Sequence, residues 1–324
     1  LNLMKYKTVG RTGLKVSSLC LGTMLFPNDP QASRAIFAKS LDAGINFFDC
    51  ANSYGGGGKS EELLGDCIAE HRCRDEIVLI SKVCRPMGAH VNNQGLSRWH
   101  ILREAEASLK RLKTDRIDFY FAHHYDPLTP IDETLRAFDD LQRQGKILYP
   151  AVSNWSAWRI AKALGISARE SLARFELIQP MYNLVKRQAE HELFPLAESE
   201  QMGAVVFSPL ASGLLTGLYG VNRSPDQGRL LQARYAERYS DSANFEIADR
   251  FTAFAQERGV APATLAVAWA MSHPAVTAPI IGPDNVEQLQ GYLDAAALDM
   301  SPSLRDEITA LAIPFEYGVE RTVD

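Results

Sequence analysis

From residue 19 onward the chain alternates short apolar runs with stretches in which apolar residues recur every three or four positions. The runs have strand length and fall at 19–22, 45–48, 77–80, 117–122, 147–152, 177–179, 204–207 and 278–281. A segment of helical period follows each one. Between the third and fourth runs, Ser97 is placed to cap a helix. Ile101, Ala105, Leu109 and Leu112 form its apolar stripe, and Glu104 and Glu106 fall on its polar side. Strands that are apolar almost throughout must be covered on both faces, which implies a parallel sheet wrapped by helices.

Eight such units with no glycine-rich phosphate fingerprint after the first favour an α/β fold of the (β/α)8 TIM-barrel type over an open doubly wound sheet. Residues 5–16 read differently, as a β-hairpin that turns at Gly10-Arg11-Thr12-Gly13. Pro150 lacks a ladder donor in a central strand, so a bulge or an early strand end is expected there. Residues 219–244, rich in Arg, Gly, Ser and Asp, break the pattern and read as a long loop over the barrel mouth. No linker interrupts the chain, so residues 1–324 are expected to form one domain, with Leu1-Asn2-Leu3 reading as residues appended ahead of Met4.

On this map Thr23, Asp49, Lys82, His123, Ser153, Asn154, Gln179, Ser208 and Gly282 each lie at or just past the carboxyl end of a predicted strand. In barrels that end carries the active site. Tyr54 stands just beyond Asp49, so an acid, a phenol, an amine and an imidazole (Asp49, Tyr54, Lys82, His123) are expected to converge. His124, the next residue along, should point away by strand alternation.

Composition narrows the chemistry. The 324 residues are 46% hydrophobic and carry a net charge of -5, which argues against a general nucleic-acid or anionic-membrane binder. No apolar stretch is long enough to span a bilayer, and a cytoplasmic protein is expected. The five cysteines (Cys20, Cys50, Cys67, Cys73 and Cys84) show no metal or redox spacing and read as free thiols, two of them near the expected site. Only Asp49 and His123 could serve a metal at the strand ends, so a metal-dependent lyase or hydrolase is disfavoured.

Asp49, Tyr54, Lys82 and His123, in that order and spacing, resemble the catalytic tetrad of the aldo-keto reductases. The resemblance extends through Phe47-Phe48-Asp49-Cys50-Ala51-Asn52-Ser53-Tyr54-Gly55, Ser60-Glu61-Glu62-Leu63-Leu64-Gly65, Gln179-Pro180-Met181-Tyr182-Asn183 and Ser208-Pro209-Leu210 to Ile281-Gly282 with Glu287-Gln288-Leu289. It implies hydride transfer between a nicotinamide cofactor and an aldehyde, ketone or secondary alcohol. Tyr54 would then be the general acid in reduction and base in oxidation. Lys82, fixed by Asp49, is expected to lower the Tyr54 pKa, and His123 to hydrogen-bond the carbonyl oxygen.

The same resemblance implies that Ser153, Asn154 and Gln179 hold the nicotinamide carboxamide and that Phe207 stacks on its ring. Gly22, Thr23 and Met24 would lie beside it. Ser208, Pro209, Leu210, Ser212, Gly213, Leu215 and Gly217 would grip the pyrophosphate, and Arg229 could add a charge there. Gly282, Asp284 and Gln288 would face the adenosine. There the chain departs from the family, because Asp284 follows Gly282-Pro283 where an arginine commonly pairs the 2'-phosphate of NADP. NADP(H) is the family default, but a carboxylate suits the free ribose diol of NAD(H).

Met24, Phe26, Met87, Tyr125 and Trp155 would line an apolar, aromatic substrate pocket, better suited to aldehydes, ketones or hydrophobic alcohols than to strongly anionic sugar phosphates. The family also contains cofactor-sensing regulatory subunits of ion channels, so a binding role is the alternative to catalysis. Oligomeric state is not legible in the sequence.

Overall fold

The computed structural model describes residues 4–312; the expectation for Leu1-Asn2-Leu3 lies outside them. A two-stranded antiparallel hairpin, β1 (Tyr6–Thr8) and β2 (Lys15–Ser17), precedes eight parallel strands: β3 (Cys20–Gly22), β4 (Phe47–Asp49), β5 (Val78–Val83), β6 (Ile117–Ala122), β7 (Ile147–Ser153), β8 (Leu177–Gln179), β9 (Gly203–Val206) and β10 (Ala278–Ile281). They pair in chain order, and β10 closes the ring by pairing with both β9 and β3. The helices are α1 (Pro30–Asp42), α2 (Lys59–His71), α3 (Arg98–Arg111), α4 (Ile131–Arg143), α5 (Ala157–Glu170), α6 (Leu193–Ser199), α7 (Ala233–Arg238), α8 (Ser242–Glu257), α9 (Pro262–Met271), α10 (Val286–Ala297) and α11 (Pro302–Thr309). The architecture is the expected (β/α)8 barrel with an N-terminal hairpin.

Strand alternation divides the core in two. Cys20, Phe47, Val78, Ile80, Phe119, Phe121, Ala151, Leu177, Val205 and Ala278 pack inside the barrel, while Leu21, Phe48, Leu79, Tyr120, Val152 and Ile178 face the helices. The hairpin adds Val9 and Val16 to the inner cluster. It is held there by the Arg11 amide donating to the Gln201 carbonyl at 2.8 Å, and Gly10 lies so close that a Cβ would fall 2.4 Å from that oxygen. One end of the barrel is thereby plugged, which leaves the carboxyl end of the strands for chemistry.

Helix α3 starts as its sequence implies, with the Ser97 hydroxyl accepting from the His100 amide. Glu104, expected on the polar side, instead turns inward to Arg111 and Asn52. Pro150 neither bulges nor ends β7, which runs on to Ser153 with Tyr120 opposite Pro150. In a parallel strand the N–H and C=O of one residue point to the same neighbour. The Pro150 carbonyl accepts from Glu176, just ahead of the β8 start, so the missing donor faces a place where the ladder has barely begun. Residues 219–244, expected to be a loop, contain a short 3₁₀ turn at Arg229–Leu231 and α7, and Tyr219, Leu230, Tyr235 and Tyr239 are buried.

Candidate active site

The inward-facing positions of β4 to β8 are apolar until the last turn of each strand and then become polar. Asp49 follows Phe47, Lys82 follows Ile80, His123 follows Phe121, Ser153 follows Ala151 and Gln179 follows Leu177, all at spacings of two. One polar layer therefore sits on the hydrophobic filling of the barrel. Lys82 is wholly buried, with its Nζ 2.7 Å from Asp49 Oδ1, and it donates to the Cys50 carbonyl at 2.8 Å and to Tyr54 Oη at 3.2 Å. These three partners use all three ammonium protons. The Tyr54 oxygen is thus an acceptor toward Lys82, and its own proton remains available to a substrate. The His123 ring stands edge-on to Tyr54 with centroids 5.9 Å apart.

Burial opposes the charge on Lys82, but Asp49 and Tyr54 outweigh it and the ammonium is held above its ordinary value. The effect on Tyr54 runs against the expected lowering. Burial pushes the phenol up to about 12; Lys82 pulls the other way without prevailing, and Asp49 adds to the rise. His123 is driven well below its ordinary value by burial first and then by Lys82, His124 and Arg85, so its imidazole is neutral. His124 does not point away as expected. Its ring stacks on that of His123, with centroids 4.8 Å apart.

Behind this layer is a buried network that sequence reasoning missed. Glu61, on the inner face of α2, accepts from Ser81 beside Lys82 and from Arg111 Nε at 2.6 Å. Arg111 also reaches Glu104, which accepts from Asn52 Nδ2 at 2.9 Å. The Asn52 amide donates to the Lys82 carbonyl, so the loop bearing Tyr54 is pinned from both sides. The only sequence clue was Glu61 falling in register with Leu64 and Ile68, on the buried stripe of α2. Thr23 and Ser60 are likewise interior, and their hydroxyls meet at 2.9 Å. Cys50 lies 3.3 Å from Ser60 Oγ, with burial pushing its thiol up to about 12, and Cys84 is pushed up to about 11 in the same way. Neither is poised to form a thiolate.

Around the mouth, Ser153 Oγ donates to the Gln179 carbonyl and Asn154 Nδ2 donates to Ser153 Oγ and the His123 carbonyl. Gln179 Nε2 donates to Asp49 Oδ1 at 2.8 Å. Gly22 and Met24 at the end of β3 and Phe207 just past β9 are half-buried, with β10 between the two strands. The segment after β9 has left-handed backbone at Ser208, Ala211, Ser212, Gly213 and Gly217, with Pro209, Leu210 and Leu215 between them. Where right-handed Leu210 meets left-handed Ala211 the backbone has the αR–αL step from which anion-binding nests are built.

Farther out, the Asp284 amide donates to Gln288 Oε1, and Gly282, Asp284 and Gln288 are exposed. Burial pushes Tyr292 up to about 12; Asp284 adds to the rise and Arg229 opposes it. Among the pocket residues, Met87 and Tyr125 are half-buried, whereas Phe26 and Trp155 are buried. Trp155 packs edge-on to Tyr125 at 5.2 Å and to Phe175 at 5.6 Å, as a support beneath the pocket more than a lining. Among the described residues no group of three or more His, Cys, Asp or Glu side chains could share a metal ion, and no helix is long and apolar enough to cross a membrane.

A (β/α)8 barrel with a buried Asp–Lys pair bonded to a phenol, a histidine beside it and a loop of left-handed backbone after β9 is the arrangement of a dinucleotide-dependent oxidoreductase. Residues 18–313 match the model of the aldo/keto reductase family, and the chain belongs to that family. It is a nicotinamide-dependent oxidoreductase acting on carbonyl or alcohol groups. It is 37% identical over 311 residues to an uncharacterised oxidoreductase of Bacillus subtilis, covering 93% of this chain and 94% of that one. It is also 37% identical over 312 residues to a probable voltage-gated potassium channel subunit beta of Arabidopsis thaliana, covering 93% of each. With the L-glyceraldehyde 3-phosphate reductase of Escherichia coli it shares 32% over 304 residues, 90% of this chain and 87% of that one.

Proposed function

We propose that Tyr54 donates the proton in reduction of an aldehyde or ketone and removes it in oxidation of the alcohol. The carrying observation is the bonding of Lys82, whose protons are all committed to Asp49, Cys50 and Tyr54, so that the phenol proton faces the pocket. A nicotinamide bound there would supply or accept the hydride. Lys82 disperses charge developing on the phenol oxygen, Asp49 fixes Lys82, and neutral His123 gives its N–H to the carbonyl oxygen. Ser153, Asn154, Gln179 and Phe207 would hold the nicotinamide end, and the loop from Ser208 to Gly217 would hold the pyrophosphate.

NADP(H) is the family default for the cofactor, and Asp284, whose carboxylate would repel a 2'-phosphate at the adenosine end, makes NAD(H) or use of either form the alternative. The five free thiols support a reducing, cytoplasmic setting. The test is the loss of reduced-nicotinamide absorbance with NADH or NADPH and an activated aromatic aldehyde, for wild type and Tyr54→Phe. The variant is expected to lose about 10²–10⁴-fold in kcat; a wild-type rate in Tyr54→Phe would refute the assignment. The channel-subunit relative sustains a second reading, a cofactor-binding partner protein. Tight cofactor binding without turnover of any carbonyl would favour it.

A further inference from the structure

We propose that Asn183 and Tyr239 are positioning residues for dinucleotide binding: through a short chain of hydrogen bonds they set the backbone turn at Ser208 that opens the loop from Ser208 to Gly217, and they tie residues 219–239 to it. The proposal rests on the reading of that loop as the cradle of the pyrophosphate.

Past the ends of β8 and β9 the two chains stay paired for one more rung, in which the Phe207 amide donates to the Pro180 carbonyl at 3.0 Å and the Tyr182 amide to the Phe207 carbonyl at 3.2 Å. The pairing then stops, because Ser208 turns into left-handed backbone at φ 58°, and Ala211 and Ser212 follow at 51° and 59°. Left-handed residues other than glycine are costly and persist only where their surroundings hold them. At Ser208 the hold is a side chain. Asn183, wholly buried, donates from Nδ2 to the Ser208 carbonyl at 2.9 Å. That carbonyl also accepts from the Ala211 amide at 2.9 Å, so the turn leading into the αR–αL step at Leu210 and Ala211 closes on an oxygen that Asn183 fixes.

The orientation of Asn183 follows from its partners. Its Oδ1 accepts from the Val185 amide at 3.1 Å, and because a backbone N–H can only donate, the NH₂ group must face the other way. The second proton of that group goes to Tyr239 Oη at 3.1 Å. Tyr239 ends α7 with no solvent exposure, and its own O–H is directed at Met181 Sδ, 3.7 Å away. Without the Tyr239 hydroxyl an Asn183 proton would be left unpaired where water does not reach, a cost that Asn183 can relieve only by turning away from Ser208.

At its other end the same segment touches the loop directly. Tyr219 is buried, and a Cβ on Gly213 would meet its Cε2 at 3.4 Å. Residues 219–239 are thus joined to the loop at Gly213 and, through Asn183, at Ser208. These bonds run from β8 and α7 to the loop and include none of Asp49, Tyr54, Lys82 and His123, so they bear on cofactor affinity and not on the proton step.

Tyr239→Phe keeps the ring and removes only the hydroxyl, and Asn183→Ala removes the middle link. The Kd for NADH and for NADPH is read by quenching of tryptophan fluorescence, with thermal melting alongside. Each variant is expected to weaken the preferred cofactor by about three- to tenfold, with the cofactor KM rising in step and kcat at saturating cofactor held. ADP, which carries a pyrophosphate and no nicotinamide, should lose the same factor as a competing ligand. The double variant should bind no more weakly than Asn183→Ala alone, because the phenol acts through Asn183.

A Tyr239→Phe protein that binds the cofactor like the wild type, whether or not it melts lower, would overturn the proposal. So would additive losses in the double variant, or an unchanged affinity for ADP. Should Asn183→Ala fail to fold, Tyr239→Phe decides alone. The readout is binding, so the absence of turnover with every aldehyde would count against the reductase reading and leave this one tested, whereas a wild type that binds no dinucleotide would overturn both.

Discussion

Replacing Lys82 by methionine tests whether the Asp–Lys pair serves structure, catalysis or both. The change removes an ammonium with no solvent exposure and leaves Asp49 with the single donor Gln179 Nε2 at 2.8 Å. It also removes the donor to the Cys50 carbonyl and to Tyr54 Oη. Breaking a buried pair from one side costs about 3–5 kcal/mol, because an uncompensated charge remains. At a urea m-value of about 3 kcal/mol/M this is a midpoint shift of roughly 1 M. Activity should fall by about 10²–10⁴-fold, the worth of an acid that has lost the charge facing it.

The double variant Asp49→Asn with Lys82→Met separates the two effects. With no orphan charge left, it should recover most of the urea midpoint, since apolar or neutral replacements of both partners of a buried pair are close to neutral in stability. Its activity should stay at the level of the single variant, because Tyr54 still lacks its cation. Urea unfolding by tryptophan fluorescence and nicotinamide absorbance read the two arms. A double variant no more stable than Lys82→Met, or a Lys82→Met enzyme with normal turnover, would refute the reasoning.

Because the phenol of Tyr54 is pushed up to about 12, reduction, which needs the protonated form, should be flat through neutrality and fail only as pH approaches that value. Oxidation, which needs the phenolate, should rise with pH throughout. With His123 neutral far below its ordinary value, a break near pH 6.5 in kcat/KM would contradict the assignment. Gly65→Ala should destabilise by about 1–3 kcal/mol by thermal melting, since its Cβ would fall 2.4 Å from the Arg111 carbonyl. Gly165→Ala in α5, with nothing within 4 Å, should instead stabilise by up to about 1 kcal/mol; equal effects would show that helix propensity alone is being measured. Asp284→Arg should raise the NADPH-to-NADH ratio of kcat/KM by about tenfold or more, and an unchanged ratio would mean that Asp284 does not face the ribose.

The barrel was legible because its signals are local. Each strand is a short apolar run, each helix a periodic stretch, and the polar layer at Asp49, Lys82, His123, Ser153 and Gln179 follows from counting by two along single strands. What escaped the sequence depends on neighbours that only closure supplies. Pro150 is tolerated because its absent donor faces the ragged start of β8. Glu104 turns inward because Arg111, seven residues on, is already held by Glu61 from another helix. His124 stacks on His123, a contact between two residues past the end of β6 that strand alternation does not describe.

The sign of the Tyr54 shift illustrates the same limit within one residue. Considering Lys82 and Tyr54 as a pair, the ammonium should favour phenolate, and it does pull in that direction. The pair forms only where the barrel packs both groups out of water, and there the desolvation of a phenolate is larger than the attraction of an ammonium whose charge is already shared with Asp49. Lys82 therefore cannot serve by ionising Tyr54 at rest. It serves by limiting the cost of charge that appears on the phenol oxygen during proton transfer, while the resting phenol keeps the proton that reduction requires. An enzyme arranged in this way is loaded for reduction at neutral pH, and its reverse reaction should be the one that gains from alkali.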